Sequence, residues 1–185
     1  SDVSVRSIEN LGTVRGLLHG CVPDTIEILE NGLRFLVDVK EGQKTGFFLD
    51  QRDKRSAFTK YAEDRDVLNC FSYTGGFTVY AMAGGARRVV SVDSSRRALD
   101  LAKENIALNG FDTSRCEFVC DDAKRYLREP ASRFETIVLD PPAFIKVRRK
   151  RQEGLAGYRA INETALKNLL PGGILVTCSC SAHLS

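Results

Sequence analysis

Five short apolar runs, separated by stretches of helical spacing, constrain this chain more than any other feature. From Asp66 onward "VLNCF", "RVVSVD", "CEFVC", "TIVLD" and "ILVTCS" follow one another. The intervening helices are expected at about 76–83, 94–109, 121–128 and 157–170 from the spacing of their apolar residues. The second of these has Ser94 as its expected N-cap and Asn109-Gly110 as its stop, and the last ends at Pro171-Gly172-Gly173. Parallel strands need a crossover, and each crossover is right-handed, so this alternation implies a parallel sheet covered by helices on both faces. The expected fold is a Rossmann-like α/β sheet.

The first sixty residues are different. "TIEILENGLRFLVDV" holds two alternating runs around Asn31-Gly32, the dipeptide best suited to a tight hairpin turn. A small N-terminal β-hairpin element is therefore expected ahead of the sheet. "GFFLDQRDKRSAFTKYAEDR" then reads as a short strand and a helix from near Asp50, with Ala57, Phe58, Tyr61 and Ala62 on one face. At 185 residues and 43% apolar composition, the chain can bury one sizeable core. The balance of 27 basic and 24 acidic residues does not by itself identify an anionic partner. Six cysteines without a C-x-x-C pair or a histidine cluster argue against a metal site and against a disulfide framework. The opening residues lack the layout of a secretory signal, and no run approaches the length of a membrane span. The expected location is a reducing cytoplasm, with no membrane partner.

Ligands in such sheets sit at the carboxyl ends of the strands, where the strand order reverses, so those ends carry the functional reading. After the first run come Phe71, Ser72, Tyr73 and Thr74, then Gly75-Gly76 at a helix start. Glycines there let backbone approach a ligand beside free helix N–H groups. The dinucleotide pattern G-x-G-x-x-G is absent, which disfavours a nicotinamide dehydrogenase. Asp93 ends the second strand seventeen residues after Gly76 and suits a ribose diol; the plain alternative is a charge answering the helix dipole. At the third strand end, Asp121 or Asp122 can accept from an adenine amine while the Ala123 N–H donates, although capping explains the acids equally. The fourth strand ends in Asp140-Pro141-Pro142-Ala143-Phe144. Two prolines stiffen that segment into a ledge, with Asp140 and Phe144 beside any flat group lying there.

The segments "GFFLDQRDKR", "LNCFSYTGGFTVYA", "VDSSRRAL", "DPPAF", "GYRAIN" and "TCSCS", in this order, resemble the bacterial class I methyltransferases that methylate carbon 5 of a cytosine in 23S ribosomal RNA. The resemblance runs from about Thr25 to Ser181. It implies S-adenosylmethionine as cofactor, with Phe71, Ser72, Tyr73, Thr74 and Gly75 as the methionine-side loop, Asp93 as the ribose acid and Asp122 as the adenine contact. Gln51 and Arg52 match the family's "DQR", and hold either the cofactor's carboxylate or the RNA. Cys180, in Ser-Cys-Ser, matches the catalytic cysteine. Two departures stand out: Cys178 occupies a position expected to hold a non-thiol, and the family's two further C-terminal strands and amino-terminal RNA-binding domain are not represented. The domain expectation is a β-rich hairpin element over 1–50 and a methyltransferase domain over 51–185 without those strands.

The chemistry implied needs a thiol and an acid. Addition of a thiolate to carbon 6 makes carbon 5 of cytosine nucleophilic, and Asp140 can stabilise the charge that this addition creates. Cys178 would share a strand face with Cys180 if the strand persists; Cys70, Cys116 and Cys120 are assigned to packing. On the rim, Lys146, Arg148, Arg149, Lys150 and Arg151 suit RNA phosphates. With Pro141, Pro142 and Phe144 they form the expected substrate surface, onto which the base must be flipped or unpaired. Competing readings are methylation of guanine or another base without covalent catalysis, and a non-catalytic cofactor- or RNA-binding remnant. A homodimer is left open.

Overall fold

The computed structural model describes residues 19–128, 133–145 and 147–181. The Asn31-Gly32 turn, both residues at positive φ (51° and 81°), joins β1 (Ile26–Glu30) and β2 (Leu33–Val37) in an antiparallel hairpin. No strand follows at Phe47-Phe48. The chain instead passes through a loop into a 3-10 turn, Leu49–Gln51, and α1, Arg52–Phe58. Arg55 and Phe58 form its buried side, with Ala62 buried after the 3-10 turn Thr59–Tyr61 that follows, while Ala57 and Tyr61 are exposed, so the expected face is rotated. The reason is a buried ion pair: Arg55 donates from Nε and Nη2 to Glu30 at 2.9 and 2.7 Å.

Five parallel strands follow: β3 (Asp66–Cys70), β4 (Arg88–Asp93), β5 (Cys116–Cys120), β6 (Phe134–Leu139) and β7 (Leu169–Thr177). Their order is β5-β4-β3-β6-β7. The chain moves outward from β3 to β5, then returns to the other side of β3 with β6, so the strand order reverses between β3 and β6. Alternate side chains feed two cores, as a pleated strand requires. Val67, Val89 and Val138 join the hairpin's Phe35 and Val37 on one face. Leu68, Val90, Ile137 and Leu139 pack beneath other helices on the opposite face.

The helices are α2 (Gly76–Ala83), α3 (Arg96–Leu108), α4 (Ala123–Tyr126) and α5 (Arg151–Asn168). The α3 cap is Ser95, not Ser94: its side chain accepts from Ala98 N–H at 3.2 Å, because the Asp93 carboxylate holds the Ser95 N–H. Asn105 of α3 and Asn109, its C-cap, accept from Leu36 and Arg34 N–H at 2.7 and 2.8 Å, fixing the hairpin to the sheet domain.

The last helix begins six residues before its expected start. Gly154 and Gly157 hid its first turns, since glycine is a weak helix former, yet both are needed for packing. A Cβ on Gly154 would fall 2.3 Å from Ile145 Cγ1, and one on Gly157 3.2 Å from Phe144 Cδ2. The helix ends at Asn168, and Pro171-Gly172-Gly173 lies inside β7, in a register shift where Phe134 pairs with Leu169 and Thr136 with Ile174. An edge strand tolerates proline in this way. Among the described residues no helix is long and apolar enough to cross a membrane.

Candidate active site

A cleft of about 390 Å³ opens where the strand order reverses. One wall is the segment after β3, Phe71 to Thr74, with Asp93 from the end of β4. The facing wall is the ledge after β6, Asp140 to Ala143, with Cys180 from the segment after β7. Gln43, Lys44, Phe47 and Phe48, from the loop after the hairpin, together with Arg55 of α1, close a third side.

The β3 loop is backbone under constraint. Phe71 and Tyr73 have φ of 60° and 47°, and Gly75 78°. Left-handed non-glycine residues are uncommon and cost on the order of 1–3 kcal/mol each, so surrounding bonds must hold them. Ser72 N–H donates to Val92 O at 3.1 Å and Gly75 N–H to Ser72 O at 2.9 Å. Tyr73 N–H donates to Asp93 Oδ2 at 2.9 Å, and Asn105 Nδ2 donates to Thr74 O at 3.0 Å. Gly75 admits no other residue, because a Cβ would sit 2.8 Å from Ala102 Cβ. Asp93 thus uses both oxygens to organise backbone, Oδ1 accepting from Ser95 N–H at 2.9 Å. Ser72 Oγ and Thr74 Oγ1 are buried without a hydrogen-bond partner, an arrangement that costs free energy unless a ligand completes it.

On the facing wall, Asp140 N–H reaches Cys70 O at 3.4 Å, tying the ledge to the neighbouring strand. Burial pushes the Asp140 carboxyl up to about 6, against the opposing pull of Lys54 and Arg55. Gln51 is 1% exposed and donates from Nε2 to Asp140 Oδ1 at 3.2 Å, while its Oε1 has no partner. Its neighbour Arg52 points elsewhere, exposed and paired with Asp53 at 3.2 Å. The two residues of "DQR" therefore part company, and neither lines the cleft.

The two terminal thiols also separate. The strand ends at Thr177, so Cys178 and Cys180 do not share a strand face. Cys178 is buried in the core, its N–H donating to Leu139 O at 2.8 Å, and burial pushes its thiol up to about 11. Cys180 is exposed on the cleft wall; partial burial, then the Asp140 charge, raise its thiol above the ordinary value. Of the cysteines assigned to packing, Cys70 is buried and Cys116 half-buried, but Cys120 is exposed on the edge strand β5.

Asp122, Ala123, Phe144 and Arg149 do not line the cleft. Asp122 caps α4, accepting from Arg125 N–H at 2.9 Å, and Asp121 accepts from Asp122 N–H and Arg125 Nε at 2.6 and 2.8 Å. Ala123 is buried in the core. The Phe144 ring packs against Tyr158, centroids 4.6 Å apart, with Lys124 Nζ 4.4 Å above it. Arg148 and Arg149 form a 3-10 turn leading into α5, and Arg149 is exposed; Lys146 lies outside the described residues. Sequence reasoning missed the 43–48 loop and Arg55. A charged residue on the same helical stripe as Phe58 and Ala62 was the available signal for Arg55.

Residues 13–184 match the family described as S-adenosylmethionine-dependent methyltransferase. The chain is 50% identical over 189 residues to ribosomal RNA large subunit methyltransferase I of Cronobacter sakazakii, covering 100% of this chain and 48% of that protein. It is 49% identical to the protein of the same name from Aeromonas salmonicida, over 98% of this chain and 47% of the other. It therefore spans about half the length of these curated relatives. Among solved structures it resembles the SAM-dependent methyltransferase of Agrobacterium tumefaciens (TM-score 0.73, 25% identity, 90% of this chain and 56% of that one). It also resembles SMU.776, solved in complex with SAH (TM-score 0.74, 30% identity, 87% and 43%).

Proposed function

The chain belongs to the S-adenosylmethionine-dependent methyltransferase family, and from that premise we propose that it methylates carbon 5 of a cytosine in large-subunit ribosomal RNA through a covalent adduct on Cys180. The observation that carries this reading is that Cys180 and Asp140 share one wall of the cleft, facing the Ser72–Thr74 loop across it. The basic turn before α5 and the name shared by the two relatives support an RNA substrate.

The residues present fit the cofactor. The unpartnered Ser72 and Thr74 hydroxyls suit its amino-acid end, and the Asp93 carboxylate retains lone pairs for ribose hydroxyls beyond those given to Tyr73 and Ser95. A cleft of this volume is within the ordinary range for small-ligand sites. When bound, S-adenosylmethionine supplies an electrophilic methyl on a positively charged sulfur.

Catalysis by the chain's own groups then runs as an addition and an elimination. Cys180, exposed on the cleft wall, gives its thiol proton to bulk water and its sulfur bonds carbon 6, while the displaced ring electrons move toward N3, which takes a proton from Asp140. A carboxyl raised to about 6 keeps a protonated fraction near neutral pH for this step. Gln51 occupies one Asp140 oxygen and so fixes the direction of the other. After carbon 5 has gained its methyl, a base removes the carbon 5 proton. Those electrons restore the carbon 5–carbon 6 double bond as the carbon 6–sulfur bond breaks, Cys180 leaves as thiolate, and the N3 proton returns to Asp140.

The raised Cys180 thiol also favours a second reading, methylation of another base position with no covalent step. Incubation with S-adenosylmethionine and RNA carrying 5-fluorocytidine separates the two. A denaturant-stable adduct mapped to Cys180, and loss of activity in Cys180→Ala, is the expected result. A fully active Cys180→Ala variant would reject covalent catalysis.

A further inference from the structure

The serines of Ser-Cys-Ser have no role in the proposed chemistry, yet the structure gives both a shared partner. Beyond Cys178 the chain leaves the sheet ladder, and the segment 179–181 is gathered around the hydroxyl of Tyr158 on α5. Ser179 Oγ donates to Tyr158 Oη at 3.1 Å, and Tyr158 and Ser181 hydroxyls lie 2.8 Å apart. Phe144 N–H donates to the same Oη at 3.4 Å. Ser181 Oγ accepts from Ile145 N–H at 3.1 Å, and Ser179 Oγ accepts from Ser181 N–H at 3.2 Å. The donor count closes: Tyr158 Oη accepts from Ser179 and Phe144 and gives its own proton to Ser181, whose oxygen also takes the Ile145 N–H.

We infer that Tyr158 is a positioning residue that sets the direction of the Cys180 thiol and locks it to the ledge bearing Asp140; as a statement about catalysis this rests on Cys180 being the nucleophile. The tyrosine is 8% exposed, its ring is fixed against Phe144, and Gly154 and Gly157 let its helix lie close on residues 144 and 145. One hydroxyl thus holds both neighbours of Cys180 and the far end of the Asp140 ledge. Thiol and acid are presented as one rigid pair, and rigid presentation is what reactive geometry demands: a displacement of about 1 Å can cost on the order of a hundredfold in rate.

The test uses Tyr158→Phe, which keeps the ring and removes only the hydroxyl, together with Ser181→Thr and Ser181→Val. Alkylation of Cys180 by iodoacetamide across pH 6–10, read by peptide mass spectrometry, reports thiol placement whether or not the thiol is catalytic. The expected result is a shifted rate–pH profile in Tyr158→Phe and Ser181→Val, with Ser181→Thr restoring the wild-type curve and cofactor binding unchanged throughout. For methyl transfer, kcat in Tyr158→Phe should fall by roughly tenfold to a hundredfold with little change in KM for RNA. Identical alkylation profiles in wild type and Tyr158→Phe would overturn the inference. If wild type forms no 5-fluorocytidine adduct, the nucleophile assignment fails separately, and the alkylation profiles still decide whether Tyr158 places the thiol.

Discussion

Asp140 carries the largest consequence of any single side chain. Its carboxyl rises from an ordinary 3.8 to about 6 because burial penalises the charge. The folded chain therefore holds this proton more tightly than the unfolded one. Stability from this group is fully present below about pH 4 and is lost as pH climbs through about 6. At roughly 1.4 kcal/mol per unit, the loss is about 2–3 kcal/mol. Asp140→Asn should therefore be more stable than wild type at pH 8 by up to that amount, and the advantage should shrink to nothing near pH 4. Thermal melts at the two pH values check this, and a pH-independent difference would contradict it. At this scale the sequence was informative where a residue punctuates an element: Asp93 and Asp140 sit at strand ends because their strands end there. It was silent where a side chain's partner comes from afar. Nothing local to "DQR" says that Gln51 turns to a carboxyl 89 positions away while Arg52 faces water.

Among the elements, β4 and β5 follow the sequence pattern closely, since a short apolar run bounded by polar residues specifies a strand with little distant help. The helix α5 and strand β7 do not, because their glycines serve packing and edge geometry instead of local propensity. This gives a prediction with opposing terms. Gly154→Ala should gain about 1 kcal/mol in helix propensity. It should lose more by driving a methyl to 2.3 Å from Ile145 and 3.0 Å from the Phe144 carbonyl. A net destabilisation of about 1–2 kcal/mol is expected, measured by urea unfolding. Gly157→Ala meets only a ring edge at 3.2 Å and should be milder. Equal or greater stability in Gly154→Ala would mean that the ledge yields easily, and that Cys180 and Asp140 are less firmly presented than the packing suggests.

For the whole molecule, the buried Glu30–Arg55 pair joins the hairpin to the cleft. Arg55 also donates to Phe48 O at 3.1 Å and lies 4.5 Å over the Phe47 ring, while Tyr80 Oη donates to Glu30 at 3.1 Å. Removing one member leaves a charge stranded in the interior, at a cost of about 3–5 kcal/mol. Glu30→Ala should show that loss. Hydrogen exchange should speed up together in the hairpin, α1 and the 43–48 loop, while β4 and β5 stay protected; loosening of the hairpin alone would disprove the coupling. This third side of the cleft escaped the sequence because it is assembled by tertiary contact across the fold, not by any single run. The strand reversal has a last consequence. The proposed methyl donor is gripped by residues following β3 and β4, and the proposed acceptor by residues following β6 and β7, so the two grips meet along one seam of the sheet. The acceptor side can therefore be altered by substitution without replacing any residue of the donor side, and a scaffold divided in this way can be given a new target while keeping its methyl source.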